Sequence, residues 1–155
     1  MSRSGYTDDC EGIAMWRGQV ASAIRGKRGQ KLLKELLAAL DAMPEKRLER
    51  EVFDDGAIPA GDAVVDGGVC ALGALCRQKG LDVTGLDPED SEAAEWLAGK
   101  LDVAHQLTRE IIYMNDEAGR HRFDPKTNEW VRETPEERWQ RMRDWVAAQI
   151  KDEAP

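Results

Sequence analysis

Between Gly29 and Met43 five leucines, Leu32, Leu33, Leu36, Leu37 and Leu40, fall at positions i, i+1, i+4, i+5 and i+8. That is the spacing of one face of an α-helix, whereas a strand would send alternate residues to opposite sides. Lys31, Lys34, Glu35 and Asp41 lie largely outside the stripe. A helix with so broad an apolar face must cover it with other elements. The segment therefore commits the chain to a helical core.

The rest of the chain supplies the covering elements. Asp9 is placed to cap a helix carrying Ile13, Trp16, Val20, Ala23 and Ile24, with Gly26 as its stop. Pro44 closes the leucine helix, and Glu45–Glu51 is read as a short helical continuation. Residues 51–68 hold Gly56, Gly61, Gly67, Gly68 and Pro59 around the apolar pieces Val52-Phe53 and Ala63-Val64-Val65, the pattern of a loop with one or two short strands. Gly67-Gly68 is read as a hairpin or strand-to-helix turn. Val69–Lys79 is a small-residue buried helix ended by Gly80.

Asp87-Pro88-Glu89-Asp90 has the composition of a helix start, with Asp87 as cap and Pro88 first in the helix. That helix carries Ala93, Ala94, Trp96 and Leu97 and is expected to yield near Gly99 to another through Leu101, Ala104, Leu107, Ile111 and Met114, with His105 inside it. Asp124-Pro125-Lys126-Thr127-Asn128 is turn chemistry between Phe123 and Trp130-Val131, so a small hairpin is expected. Thr134-Pro135-Glu136-Glu137 opens a last helix that buries Trp139, Met142, Trp145, Val146 and Ile150. The expected fold is mainly α: one domain over residues 1–155, a bundle of about five to six helices with a minor β-hairpin, and residues 1–9 an extended leader.

Charge narrows the function. The 155 residues carry a net charge of −8, which disfavours a predominantly nucleic-acid-binding surface but leaves room for a local basic patch. Residues 1–50 have a net charge of +3 and residues 51–155 one of −11. Five cations and no anion lie between Arg25 and Lys34, and ten carboxylates against two cations lie between Asp82 and Glu117. No apolar run approaches the ~20 residues that span a bilayer, and the polar opening is unlike a secretory signal, so no membrane association and a cytoplasmic setting are expected.

Catalytic signatures are missing. Cys10, Cys70 and Cys76 form no CxxC and are read as reduced thiols, Cys10 the most exposed. His105 and His121 have no metal-ligand spacing, and no phosphate loop, dinucleotide fingerprint, nucleophile elbow or HExxH is present. The sequence thus offers no catalytic, cofactor-binding or metal-binding residues. Two charged surfaces and one aromatic remain. Glu89, Asp90, Glu92 and Glu95 form an acidic segment suited to docking on a basic partner, or to mimicking the spaced phosphates of a duplex. Arg25, Lys27, Arg28 and Lys31 join two amphipathic helices; with Gln30 and Lys34 they suit an acidic partner, or the phosphates and bases of a helix-turn-helix complex. Trp130, beside the expected turn, is the aromatic most suited to serve as an exposed anchor, while Trp16, Trp96, Trp139 and Trp145 fall on apolar stripes.

The opening Ser2-Arg-Ser-Gly-Tyr-Thr-Asp-Asp9, then Trp16-Arg-Gly18, Ala21-Ser-Ala-Ile-Arg-Gly-Lys-Arg-Gly29, Val69-Cys-Ala-Leu-Gly73 and Glu133-Thr-Pro-Glu136 together resemble a family of small phage- and prophage-encoded proteins of unknown function. The resemblance implies a host-directed or defence-countering accessory role inside a bacterial cell. The functional expectation is a non-enzymatic protein that binds a host or phage macromolecule, foremost a protein, through charged surfaces. The alternatives are a small DNA-binding or transcription-modulating protein using the basic helix-hairpin around residues 25–34, and an enzyme whose site has no recognisable signature.

Overall fold

The computed structural model describes residues 10–119 and 121–151. Among them are helices α1 (Cys10–Arg25), α2 (Lys27–Ala42), α3 (Ala71–Lys79), α4 (Ser91–Leu101), α5 (His105–Asp116) and α6 (Pro135–Gln149). Two antiparallel hairpins accompany them, β1 (Ala57–Ala60) with β2 (Ala63–Asp66), and β3 (His121–Asp124) with β4 (Glu129–Arg132). The fold is mainly α with minor β-hairpins, as the periodicity predicts. The expected leader and the Asp9 cap lie outside the described residues, and the side chain of Cys10 is likewise not described.

The leucine helix is the hub. Leu32, Leu33, Leu36 and Leu40 are fully buried, and α2 packs against α1, α3 and α6. Leu48, Phe53, Leu72, Leu75, Leu97, Leu107, Ile111 and Met142 close the same cluster from the other elements. Each such side chain contributes ~1.5–3 kcal/mol by leaving water. A single residue, Gly26, joins α1 to α2. The tight junction works because Gly29 has no side chain: a Cβ there would lie 1.8 Å from the Ala23 carbonyl oxygen.

Several helix ends follow the sequence signals. Gly80 adopts the left-handed conformation at the end of α3, and Thr134 accepts from Glu137 N at 3.1 Å at the start of α6. Other expectations are corrected. Residues 45–51 are not helical, because tertiary partners take their backbone groups. Leu48 N donates to Pro135 O at 3.0 Å, Glu49 N to Val69 O at 2.9 Å, and Glu51 N to the Asp116 carboxylate at 3.1 Å.

The cap of α4 is Asp90, whose carboxylate accepts from Glu92 N; Asp87 instead closes the preceding turn by accepting from Glu89 N. With Pro88 buried in that turn, the helix starts three residues later than its Asp-Pro signal implies. The helix also runs through Gly99 and stops at Asp102, which takes a left-handed conformation with φ of 55°. His105 is consequently the first residue of α5, not one in mid-helix. Trp96, expected in the core, is 43% exposed, with Lys100 Nζ 5.6 Å from its ring centre. Trp16 and Trp145 are partly buried against the core, and Trp139 is fully part of it.

Candidate functional site

Four elements converge on a polar cleft of about 280 Å³. The 48–51 loop brings Arg50, the end of α5 brings Asp116 and Glu117, the base of the β3–β4 hairpin brings His121 and Arg132, and the start of α6 brings Arg138 beside Glu133. Local sequence explains each wall. The loop is pinned by a buried amide: Asn115 Nδ2 donates to Glu49 O at 2.8 Å while its Oδ1 accepts from Ala71 N at 3.1 Å. Thr134-Pro135 fixes where α6 begins, which sets Arg138 facing inward one turn on. Gly119 lets the wall close, since a Cβ at that position would lie 2.5 Å from Glu133 Oε1.

The carboxylates of the cleft are partly spent. Glu133 receives two charge-assisted hydrogen bonds from Arg141, at 2.7 and 2.9 Å, and its Oε1 lies 3.2 Å from Arg138 Nε. Burial works to raise the Glu133 pKa, but the Arg141 hydrogen bonds and the charges of Arg141 and Arg138 outweigh it, so the group stays below the usual carboxylate range. Arg141 also donates to the carbonyls of Met114 and Asn115, which ties α6 to the end of α5. Asp116 accepts from Glu51 N and from Asn115 Nδ2.

The guanidinium groups are less completely used. Arg138 is only 5% exposed, and its Nη1 donates to Leu48 O at 2.8 Å. Its Nε is buried without an aligned acceptor, despite the nearby Glu133 charge, and so is the Nε of Arg50. Burial draws the Arg138 pKa below the ordinary arginine value against the pull of Glu133, yet guanidinium remains charged at any physiological pH.

The hairpin extends this cleft outward. Its register pairs His121 with Arg132 and Phe123 with Trp130. Cross-strand partners and alternate residues share a face, so His121, Arg132, Phe123 and Trp130 lie on one side of the ribbon. The Phe123 and Trp130 rings meet edge to face with centres 5.6 Å apart, and Trp130 is 71% exposed. The structure thus places Trp130 in the open, and joins its face to an arginine-lined hollow.

The other sequence candidates form two separate clusters. Glu89, Asp90, Glu92 and Glu95 are all exposed around the start of α4, with Asp90 occupied as its cap. Arg25, Lys27, Arg28 and Lys31 are exposed at the α1–α2 junction; Arg28 pairs with Asp102 at 3.1 Å and Lys31 stands 4.0 Å from Glu35. Gln30, read as a base-contacting side chain, is instead structural. Its amide donates to Ile24 O at 2.7 Å and Gln149 O at 3.0 Å, and its oxygen accepts from Lys151 N at 2.8 Å. Among the described residues no three His, Cys, Asp or Glu side chains are grouped to hold a metal ion. No helix among them is long and apolar enough to cross a membrane.

Sequence reading missed Arg50, Arg132, Arg138, His121 and Glu133 as a group. One signal was available: Arg138 shares the helical stripe of Met142 and Val146, an arginine where an apolar residue is expected. The chain matches no protein-family model, no curated protein and no solved structure.

Proposed function

We propose that this chain is a non-enzymatic binding protein that engages a macromolecule through the face formed by the β3–β4 hairpin and the arginine-lined cleft at its base. The observation that carries this reading is the continuity of an exposed Trp130–Phe123 pair with Arg132 and His121 on one hairpin face and with Arg50 and Arg138 beneath it. Tryptophan and arginine are the residues that dominate binding energy where large, rigid contact area and directed donors are needed. A two-stranded ribbon gains little from presenting such a pair to water, so the placement favours contact with a partner. The resemblance to phage-encoded proteins suggests an accessory role in which that macromolecule belongs to the host or the phage.

The test is capture of partners from infected-cell lysate by the full chain, by a Trp130→Ala/Arg132→Gln variant, and by a Glu92→Gln/Glu95→Gln variant. Loss of the same captured species with the hairpin variant alone supports the reading. Capture that is unchanged by the hairpin variant but abolished by the acidic-face variant overturns it in favour of α4.

A further inference from the structure

We infer that the cleft and hairpin face bind a nucleotide, its phosphate seated among Arg50, Arg132 and Arg138 and its base stacked on Trp130. This deepens the reading above and rests on it. Three observations meet here. First, the guanidinium donors of the cleft are incompletely satisfied: the Nε of Arg50 is enclosed without a hydrogen-bond partner, and that of the 95%-buried Arg138 has only a poorly aligned Glu133 Oε1 at 3.2 Å. Buried donors of this kind are costly unless an acceptor completes them, and a tetrahedral oxyanion presents several acceptors to guanidinium groups at once.

Second, Arg132 and His121 add donors at the mouth of the cleft, and neither side chain has a hydrogen bond or ion pair among the described residues. Of the nearby carboxylates, Glu133 is neutralised by Arg141 and Arg138, whereas Asp116, which accepts from Glu51 N and Asn115, and Glu117, exposed at the rim, keep charges that oppose an anion.

Third, the aromatic pair stands two residues further along each strand than the His121–Arg132 pair. At ~3.3 Å per strand residue the offset is roughly 6–7 Å, a separation that one nucleotide can span between phosphate and base. Stacking on an exposed indole requires an unpaired base, which excludes intact duplex from this face. A net charge of −8 also disfavours the long positive track that duplex binding uses, and this face offers a local site for one phosphate and one base. The nucleotide can be free or one unit of a single strand.

The experiment is isothermal titration of the full chain with adenosine 5′-monophosphate, adenosine, inorganic phosphate, a single-stranded oligodeoxyadenylate, the same sequence as duplex, and a phosphoserine peptide. The expected result is binding of the mononucleotide, the single strand or both, clearly tighter than adenosine, phosphate, duplex or phosphopeptide. Binding of the mononucleotide identifies a free nucleotide as a sufficient ligand; binding of the single strand alone identifies the strand. Trp130→Ala should weaken the preferred ligand by roughly 5- to 150-fold, the range of one base–aromatic stack, and Trp130→Tyr should restore most of it. Arg132→Gln should weaken it several-fold and make the affinity less dependent on salt.

Both side chains are exposed, so these variants are expected to fold, which circular dichroism checks. No binding of either nucleotide form, or binding indifferent to both variants, overturns the inference. So does a phosphopeptide that binds as tightly as the nucleotides. If nucleotides fail while lysate capture still depends on Trp130, the nucleotide inference falls and the binding-protein reading stands.

Discussion

The indole Nε1 of Trp139 donates to the carbonyl oxygen of Leu40 at 3.1 Å, joining α6 to the last turn of α2 across 99 residues of sequence. Leu40 O belongs to the terminal carbonyls that a helix leaves without intrahelical partners. One buried side chain therefore closes both a packing gap and a helix end. Trp139→Phe should cost about 1 kcal/mol, because Met43 N at 3.3 Å and Lys46 Nζ at 3.5 Å still serve the carbonyl. Trp139→Ala should cost ~3–5 kcal/mol, since it also leaves a cavity. Urea denaturation of the two variants checks the ratio; equal losses would mean that the hydrogen bond dominates the packing.

Two helical glycines should respond oppositely to alanine. By propensity alone each change stabilises an exposed helix interior by up to ~1 kcal/mol. Gly99 has nothing within 4 Å of where a Cβ would sit, so Gly99→Ala should raise stability. At Gly73 the Cβ would lie 1.8 Å from the Phe53 carbonyl oxygen, which is backbone and cannot yield. Gly73→Ala should therefore lower stability by ~1–3 kcal/mol or more. Thermal unfolding of both variants measures the signs, and stabilisation by Gly73→Ala would contradict the close approach.

Acid should weaken one specific ion pair. Arg77 donates to both oxygens of buried Asp54, at 2.8 and 2.7 Å, and Gly56 N donates to the same carboxylate at 2.7 Å. Burial raises the Asp54 pKa, but the Arg77 and Gly56 hydrogen bonds and the Arg77 charge bring it below the ordinary value. A depressed folded-state pKa contributes stability that is present above the unfolded value, near ~4, and lost as pH falls through the folded one. Asp54→Asn should thus cost on the order of 1–3 kcal/mol at pH 7, and the gap from the unmodified protein should narrow below about pH 4. Urea titrations at pH 7, 4 and 3 test this, and a gap independent of pH would assign the loss to packing alone.

The thiols of Cys70 and Cys76 should be inert in the folded protein. Both are buried and free of disulfides. Burial pushes the Cys76 pKa up to about 12, with the Asp54 charge adding to it, and raises that of Cys70 still further. Since the thiolate is the reactive species, a Cys10→Ser variant should show no fast reaction with Ellman's reagent at pH 8 and two reactive thiols in denaturant. Rapid native labelling would mean that α3 opens readily.

Local signals in the sequence settled the central turns of the six helices, because period, caps and stops act within a few residues. The leucine stripe of α2, Gly80 after α3, Thr134-Pro135 before α6 and the Asp124–Asn128 turn all have the form that their chemistry dictates, and Trp130 stands exposed at the hairpin where turn chemistry left it. Tertiary contacts decided the rest. Residues 45–51 gave up a helix because Asn115, Asp116, Val69 and Pro135 offered partners to their backbone. Asp90 displaced Asp87 as cap once Pro88 was buried in the preceding turn. The arginine cleft was invisible for a different reason. Its residues come from positions 50, 116–117, 119, 121 and 132–138, which share no period or motif. Only the packing of α6 against α2, and of the 48–51 loop against α5, brings their charges within reach of one another, and electrostatics depends on those distances through space rather than on order along the chain.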